Sequence, residues 1–89
     1  MAKKQRLFDS EAYHSLHEVA EFLRDLANSL EAGEVTLRQG EQELSLTLPA
    51  QVELEIEVDK KVKRHTTKHS LEIEIDWKEE DFAGKVTVG

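Results

Sequence analysis

The chain contains no cysteine. Disulfides, thiolate zinc sites and cysteine nucleophiles are therefore excluded together. The same absence fits a reducing compartment, and a cytoplasmic location is the expectation. No stretch approaches the ~18 consecutive apolar residues of a membrane-spanning helix. The opening "MAKKQRLF" has basic residues but no apolar core of the kind that makes a secretory signal. Basic residues are the minority sign: 12 Lys and Arg stand against 19 Asp and Glu, a net charge of -7. That balance argues against nucleic-acid binding by the domain as a whole. There is no nucleophile with a neighbouring base, no Gly-rich phosphate loop, and no acid pair in a pocket-forming context. A non-enzymatic protein without cofactor or metal is expected.

What is present is periodicity. Eighty-nine residues suffice for one domain, and residues 1–89 are expected to form one, with the core over about 5–79. The composition, 38% hydrophobic and 35% charged, suits a small soluble globular fold. In "SLHEVAEFLRDLANSLEAG" the residues Leu16, Val19, Phe22, Leu23, Leu26, Ala27 and Leu30 recur at helical spacing. Ser15 and Glu18 form an S-x-x-E capping box, and Gly33 is placed to close the helix in the left-handed conformation. A helix over 16–32 is predicted. The preceding "QRLFDSEAYHS" could add a helical turn from Ser10, but is read as an edge strand, because the box at Ser15 already supplies the helix start.

After Gly33 the period changes to two. Val35, Leu37, Leu44, Leu46 and Leu48 share one parity, and "RQGEQ" lies between them. With Leu37 opposite Leu44 the loop is Gly40-Glu41, and glycine first is what a type II′ turn requires. That register sets Arg38 opposite Glu43 and Thr36 opposite Ser45, both favourable cross-strand pairs. Pro49 cannot donate to a ladder and ends the second strand.

Two further strands alternate acids with aliphatics: "VELEIEVD" and "SLEIEIDW". The link "KKVKRHTTKH" between them is strongly basic. With Val62 opposite Leu71, the loop falls at about His65 to Lys68. Val58 then faces Ile75, Ile56 faces Trp77, and Lys61 neutralises Glu72. The expected architecture is α+β: one amphipathic helix packed on one face of an antiparallel sheet of four to five strands. Residues 80–89 are read as a flexible tail, or as a short edge strand through Val86 and Val88. So thin a core is compatible with a homodimer.

The order of these features resembles the amphi-Trp domain family. The resemblance covers roughly residues 5–79. It is carried by Phe8, Ser10, Ser15, Leu23, Leu26, Ala27, Leu30, Gly33, Pro49 and the stretch Leu71 to Trp77. It implies a small, stand-alone prokaryotic protein of this fold, with no established activity and no catalytic residues. The basic link and the twelve residues after Trp77 depart from the family pattern.

Two candidate surfaces follow. The outward side of the last hairpin offers Glu55, Glu57, Asp59, Glu72, Glu74 and Asp76, a docking face for an unknown protein partner of basic character. In the register above Asp59 faces Glu74 and Glu57 faces Asp76; like charges in such positions repel. A charged solvated face that keeps the sheet from stacking is the simpler explanation of the same pattern. The alternative surface is the basic tip, where Lys60, Lys61, Lys63, Arg64 and Lys68 could contact phosphates of a nucleic acid. It contains no aromatic for base stacking. The histidines (His14 and His17, His65 and His69) lack the spacing on one helix face that a metal pair needs. Trp77 is expected to plug the end of the apolar face, with its indole N–H at the rim.

Overall fold

The computed structural model describes residues 3–79. In chain order it contains α1 (Leu16–Ala32), β1 (Glu34–Gln39), β2 (Gln42–Thr47), β3 (Glu53–Val62) and β4 (Thr67–Asp76). The fold is α+β with antiparallel strands, as the periodicity requires. The strands pair as two two-stranded sheets, β1-β2 and β3-β4, where four to five strands in one sheet were expected. The chain divides into two compact units, residues 1–50 and 51–89. The expected tail or edge strand at 80–89 lies outside the described residues.

In the first unit, α1 starts where the capping box places it. The Glu18 amide donates to the Ser15 hydroxyl at 3.0 Å, and the Ser15 amide donates to Glu18 Oε1 at 3.0 Å. Two of the orphan donors at the helix start are thus satisfied. The helix ends on Gly33 at φ 79°, whose amide donates to the Leu30 and Ser29 carbonyls. The Gly33 carbonyl in turn accepts from the Leu48 amide at 2.9 Å, which ties the end of the first hairpin to the helix cap.

The β1–β2 register is the one the sequence predicts, with Leu37 opposite Leu44 and Val35 opposite Leu46. The loop is Gly40-Glu41. Gly40 has φ 59° and no described non-glycine residue has positive φ, which is the type II′ combination. Arg38 Nε donates to Glu43 at 3.1 Å, and the Thr36 and Ser45 hydroxyls are 2.9 Å apart. The helix lies against β1. Val35, 5% exposed, is the only buried side chain among the described residues.

The edge strand expected before the helix does not form. Residues 3–15 hold no regular element, and Arg6 Nη1 sits 3.6 Å from Asp9 Oδ2. Nothing in this stretch alternates apolar with polar residues to favour a strand.

In the second unit, β3 and β4 keep the predicted parity but not the predicted register. Leu54 faces Ile75, Ile56 faces Ile73, Val58 faces Leu71 and Val62 faces Thr67. The slide relative to the expected pairing is four residues, an even number, so every side chain stays on its face. The link is tighter than expected: the Lys63 amide donates to the Thr66 carbonyl at 2.7 Å, leaving only Arg64 and His65 in the turn. Setting Val62 opposite Leu71 required a longer loop and a shorter ladder. The structure takes the tight turn and the longer ladder, ten rungs from Glu53–Asp76 to Val62–Thr67. Each added rung pairs backbone groups, and a shorter loop is cheaper to close.

Candidate functional site

One face of the β3–β4 ribbon is segregated by charge along its length. From the open end the rungs are Glu53–Asp76, Glu55–Glu74 and Glu57–Glu72, then Asp59–Ser70, then Lys61–Lys68. Three acid–acid rungs in succession give way to a base–base rung beside the turn. The expected pairs Asp59–Glu74, Glu57–Asp76 and Lys61–Glu72 are replaced by these, and Trp77, expected opposite Ile56, lies one residue beyond β4 and is half-buried. The four-residue slide moves every acid against another acid or a serine, and moves Lys61 away from the acid expected to neutralise it.

All six acidic candidates share this face, and Glu53 joins them. In the expected register Glu53 lies within the strand, but the position opposite it falls beyond Trp77. Its parity was visible in the sequence, but its partner was not. Carboxylate oxygens of Glu53, Glu55 and Asp76 lie within 4.8 Å of one another, and all three residues are exposed. The Glu55 carboxyl is held above the ordinary range, first by a hydrogen bond with Glu57, then by the negative charges of Glu57 and Glu74. Crowded carboxylates of this kind suit ammonium or guanidinium groups spread over a flat surface. Hard divalent cations also take carboxylate oxygens, but from several directions at once, and a flat strand face supplies them from one side.

The basic candidates are not a single cluster. Lys61 and Lys68 face each other on the charged side, with Lys63 and Arg64 at the turn. Lys60 stands on the opposite, aliphatic side, facing His69. Among the described residues none of these cations lies within 4.0 Å of a carboxylate; the ion pairs are Arg6–Asp9, Arg38–Glu43 and the histidine pairs His14–Glu18 and His17–Glu21. The last two, at 3.7 and 2.8 Å along α1, engage both helix histidines with acids rather than with each other.

The aliphatic side of the ribbon, with Leu54, Ile56, Val58, Leu71 and Ile73, is exposed. In the first unit an open groove of about 790 Å³ runs between the 8–14 segment, α1 and the consecutive β1 residues Thr36 to Gln39, with Phe8, Val19 and Phe22 among its apolar walls. The sequence signal for that groove would have been Phe8 standing outside the helical stripe; the edge-strand reading of its neighbourhood obscured it. Among the described residues no helix is long and apolar enough to cross a membrane.

A family model described as the Amphi-Trp domain matches residues 1–88, essentially the whole chain. No curated protein and no solved structure matches it.

Proposed function

We propose, for a chain that belongs to the Amphi-Trp domain family, a non-enzymatic interaction role in which the acidic face of the β3–β4 ribbon receives a basic protein segment. The observation that carries this reading is the run of three acid–acid rungs, Glu53–Asp76, Glu55–Glu74 and Glu57–Glu72. At a spacing near 5 Å in water each such pair costs roughly 0.8 kcal/mol. A bound cationic segment removes that repulsion, so the ribbon gains stability where its partner gains affinity.

The test is a proton–nitrogen titration of the whole chain with a short lysine-rich peptide. Amide shifts concentrated at Glu53 to Glu57 and Glu72 to Asp76, fading as salt is added and lost in the Glu55→Gln/Glu74→Gln variant, are expected. Absence of shifts at low salt, or shifts indifferent to the variant, defeats the reading.

One observation favours a second reading. Lys61 faces Lys68, not Glu72, so the tip cations are not neutralised across the ladder. Phosphate contact through Lys61, Lys63, Arg64 and Lys68 draws support from this, with Lys60 removed to the other side. A short duplex DNA in the same titration discriminates the two: shifts confined to Lys61 through Lys68 support the phosphate reading, and none at low salt ends it.

A further inference from the structure

The outer edge of β4 enters neither reading. Among the described residues β4 pairs only with β3, which leaves a row of its amides and carbonyls unpaired between Thr67 and Asp76. An exposed strand edge is a template for another strand. A ribbon of two strands is marginal in water, whereas three or more strands with an apolar face are not.

The sequence of β4 complements itself when reversed. Laid antiparallel on a second β4 with Leu71 opposite Leu71, Lys68 falls opposite Glu74 and Ser70 opposite Glu72. On the other side His69 falls opposite Ile73 and Thr67 opposite Ile75. No rung in this register sets like charges together, and the even offset keeps each side chain on its own face. β3 has no equivalent. Centred on Val58 it sets Glu57 against Asp59; centred on Asp59 or Lys60 it sets that residue against its own copy.

We infer that a second copy of this chain pairs with the free edge of β4, antiparallel and centred on Leu71, to give a four-stranded sheet in the order β3-β4-β4-β3. The interface is isologous, so each favourable rung off the axis occurs twice. Within one ribbon Lys68 faces Lys61 and Glu74 faces Glu55; the second copy gives each of them a neighbour of opposite sign. This inference uses the strand edge and does not depend on the acid ladder receiving a basic partner.

Sedimentation of the whole chain tests it. Twice the 10.2 kDa chain mass is expected at micromolar concentration. Lys68→Glu and Glu74→Lys should each return the mass to a single chain, because each sets like charges opposite one another across the axis. Both changes relieve repulsion inside the ribbon, against Lys61 and Glu55 respectively, so a loss of folding does not explain that result; thermal midpoints of the dilute variants should not fall. Mixing the two variants should restore the double mass, since every altered rung then joins opposite signs. Leu71→Cys, in a chain with no other cysteine, should form an interchain disulfide under mild oxidation, and Ile56→Cys should not. A wild-type chain of single mass up to millimolar concentration overturns the inference, including where another segment of the same chain occupies the edge. So does a double mass indifferent to both charge reversals. A single-mass chain that still shows the lysine-peptide shifts would retire this inference and leave the acid-face reading standing.

Discussion

The two hairpins obey the same parity and are held in different ways. β1–β2 has six residues to a strand, a glycine in the left-handed region at its turn, and complementary polar pairs at Arg38–Glu43 and Thr36–Ser45. β3–β4 has ten residues to a strand and a turn through Arg64 and His65 with no positive φ. Its charged rungs set acid on acid and lysine on lysine. In the first hairpin each local choice agrees with the fold. In the second, length and aliphatic content carry a ladder whose charges oppose it. Cross-strand aliphatic pairs such as Ile56–Ile73 contribute roughly 0.2–1 kcal/mol each, about what each acid rung removes at ~0.8 kcal/mol. A strand pair so nearly balanced is where a partner, basic segment or second copy, has the greatest leverage.

The largest expected effect tests the contrast in burial. Val35→Ala should cost about 2 kcal/mol in urea unfolding, because the side chain is 5% exposed and its removal leaves a void. Val58→Ala, at a position 72% exposed, should stay within about 0.5 kcal/mol. Equal losses at the two sites would break the comparison and show that the aliphatic side of β3–β4 is covered in solution.

The turns differ next. Gly40→Ala forces an L side chain to φ 59° and should cost about 1 kcal/mol, read from the urea midpoint. No neighbouring atom stands within 4 Å of the added methyl, so the cost is conformational and not a clash. Arg64→Ala, in a turn without a left-handed residue, should change stability by less than about 0.5 kcal/mol. A large loss at Arg64 would mean that its side chain, and not the backbone, holds the second turn.

What the sequence made legible follows the same division. The helix bounds, the capping box, the Gly33 stop and the β1–β2 register were all readable, because each depends on residues within ten positions of one another and on a chemistry with one good solution. The parity of β3 and β4 was readable for the same reason. Their register was not. Seven acids and six aliphatics in strict alternation look alike at every even offset, so the pattern named the faces and left the partners undetermined. Carrying the apolar parity through Val62 set it opposite Leu71, whereas a two-residue turn is cheaper to close and leaves a ladder of ten rungs. The candidate site inherits that outcome: its six acids were found and its rungs were not. The 3–15 segment failed for a different cause. It lacks periodicity, so the edge strand rested on elimination.

The smallest effect separates the two units by acid. Glu55, in the ladder, binds its proton more tightly than its ordinary value of 4.5 because Glu57 bonds to it and Glu57 and Glu74 repel its charge. A carboxyl raised in the folded state contributes stability that is fully present below the unfolded value and is lost as pH rises through the folded one. Glu18, at the helix start, is shifted the other way, first by the hydrogen bond from the Ser15 amide and then by the one from its hydroxyl. Its contribution is present above 4.5 and is lost as pH falls through the lowered folded value. Lowering the pH from neutral should therefore tighten β3–β4 first, just above 4.5, and loosen the start of α1 only below it. Amide exchange, corrected for the intrinsic pH dependence, reads the two separately. Glu55→Gln should flatten the response in β3 and β4 while leaving the loss at Ser15 to Val19 unchanged, and Ser15→Ala should do the reverse. Parallel responses in the two units would mean that the acid ladder is not the source of the difference between them.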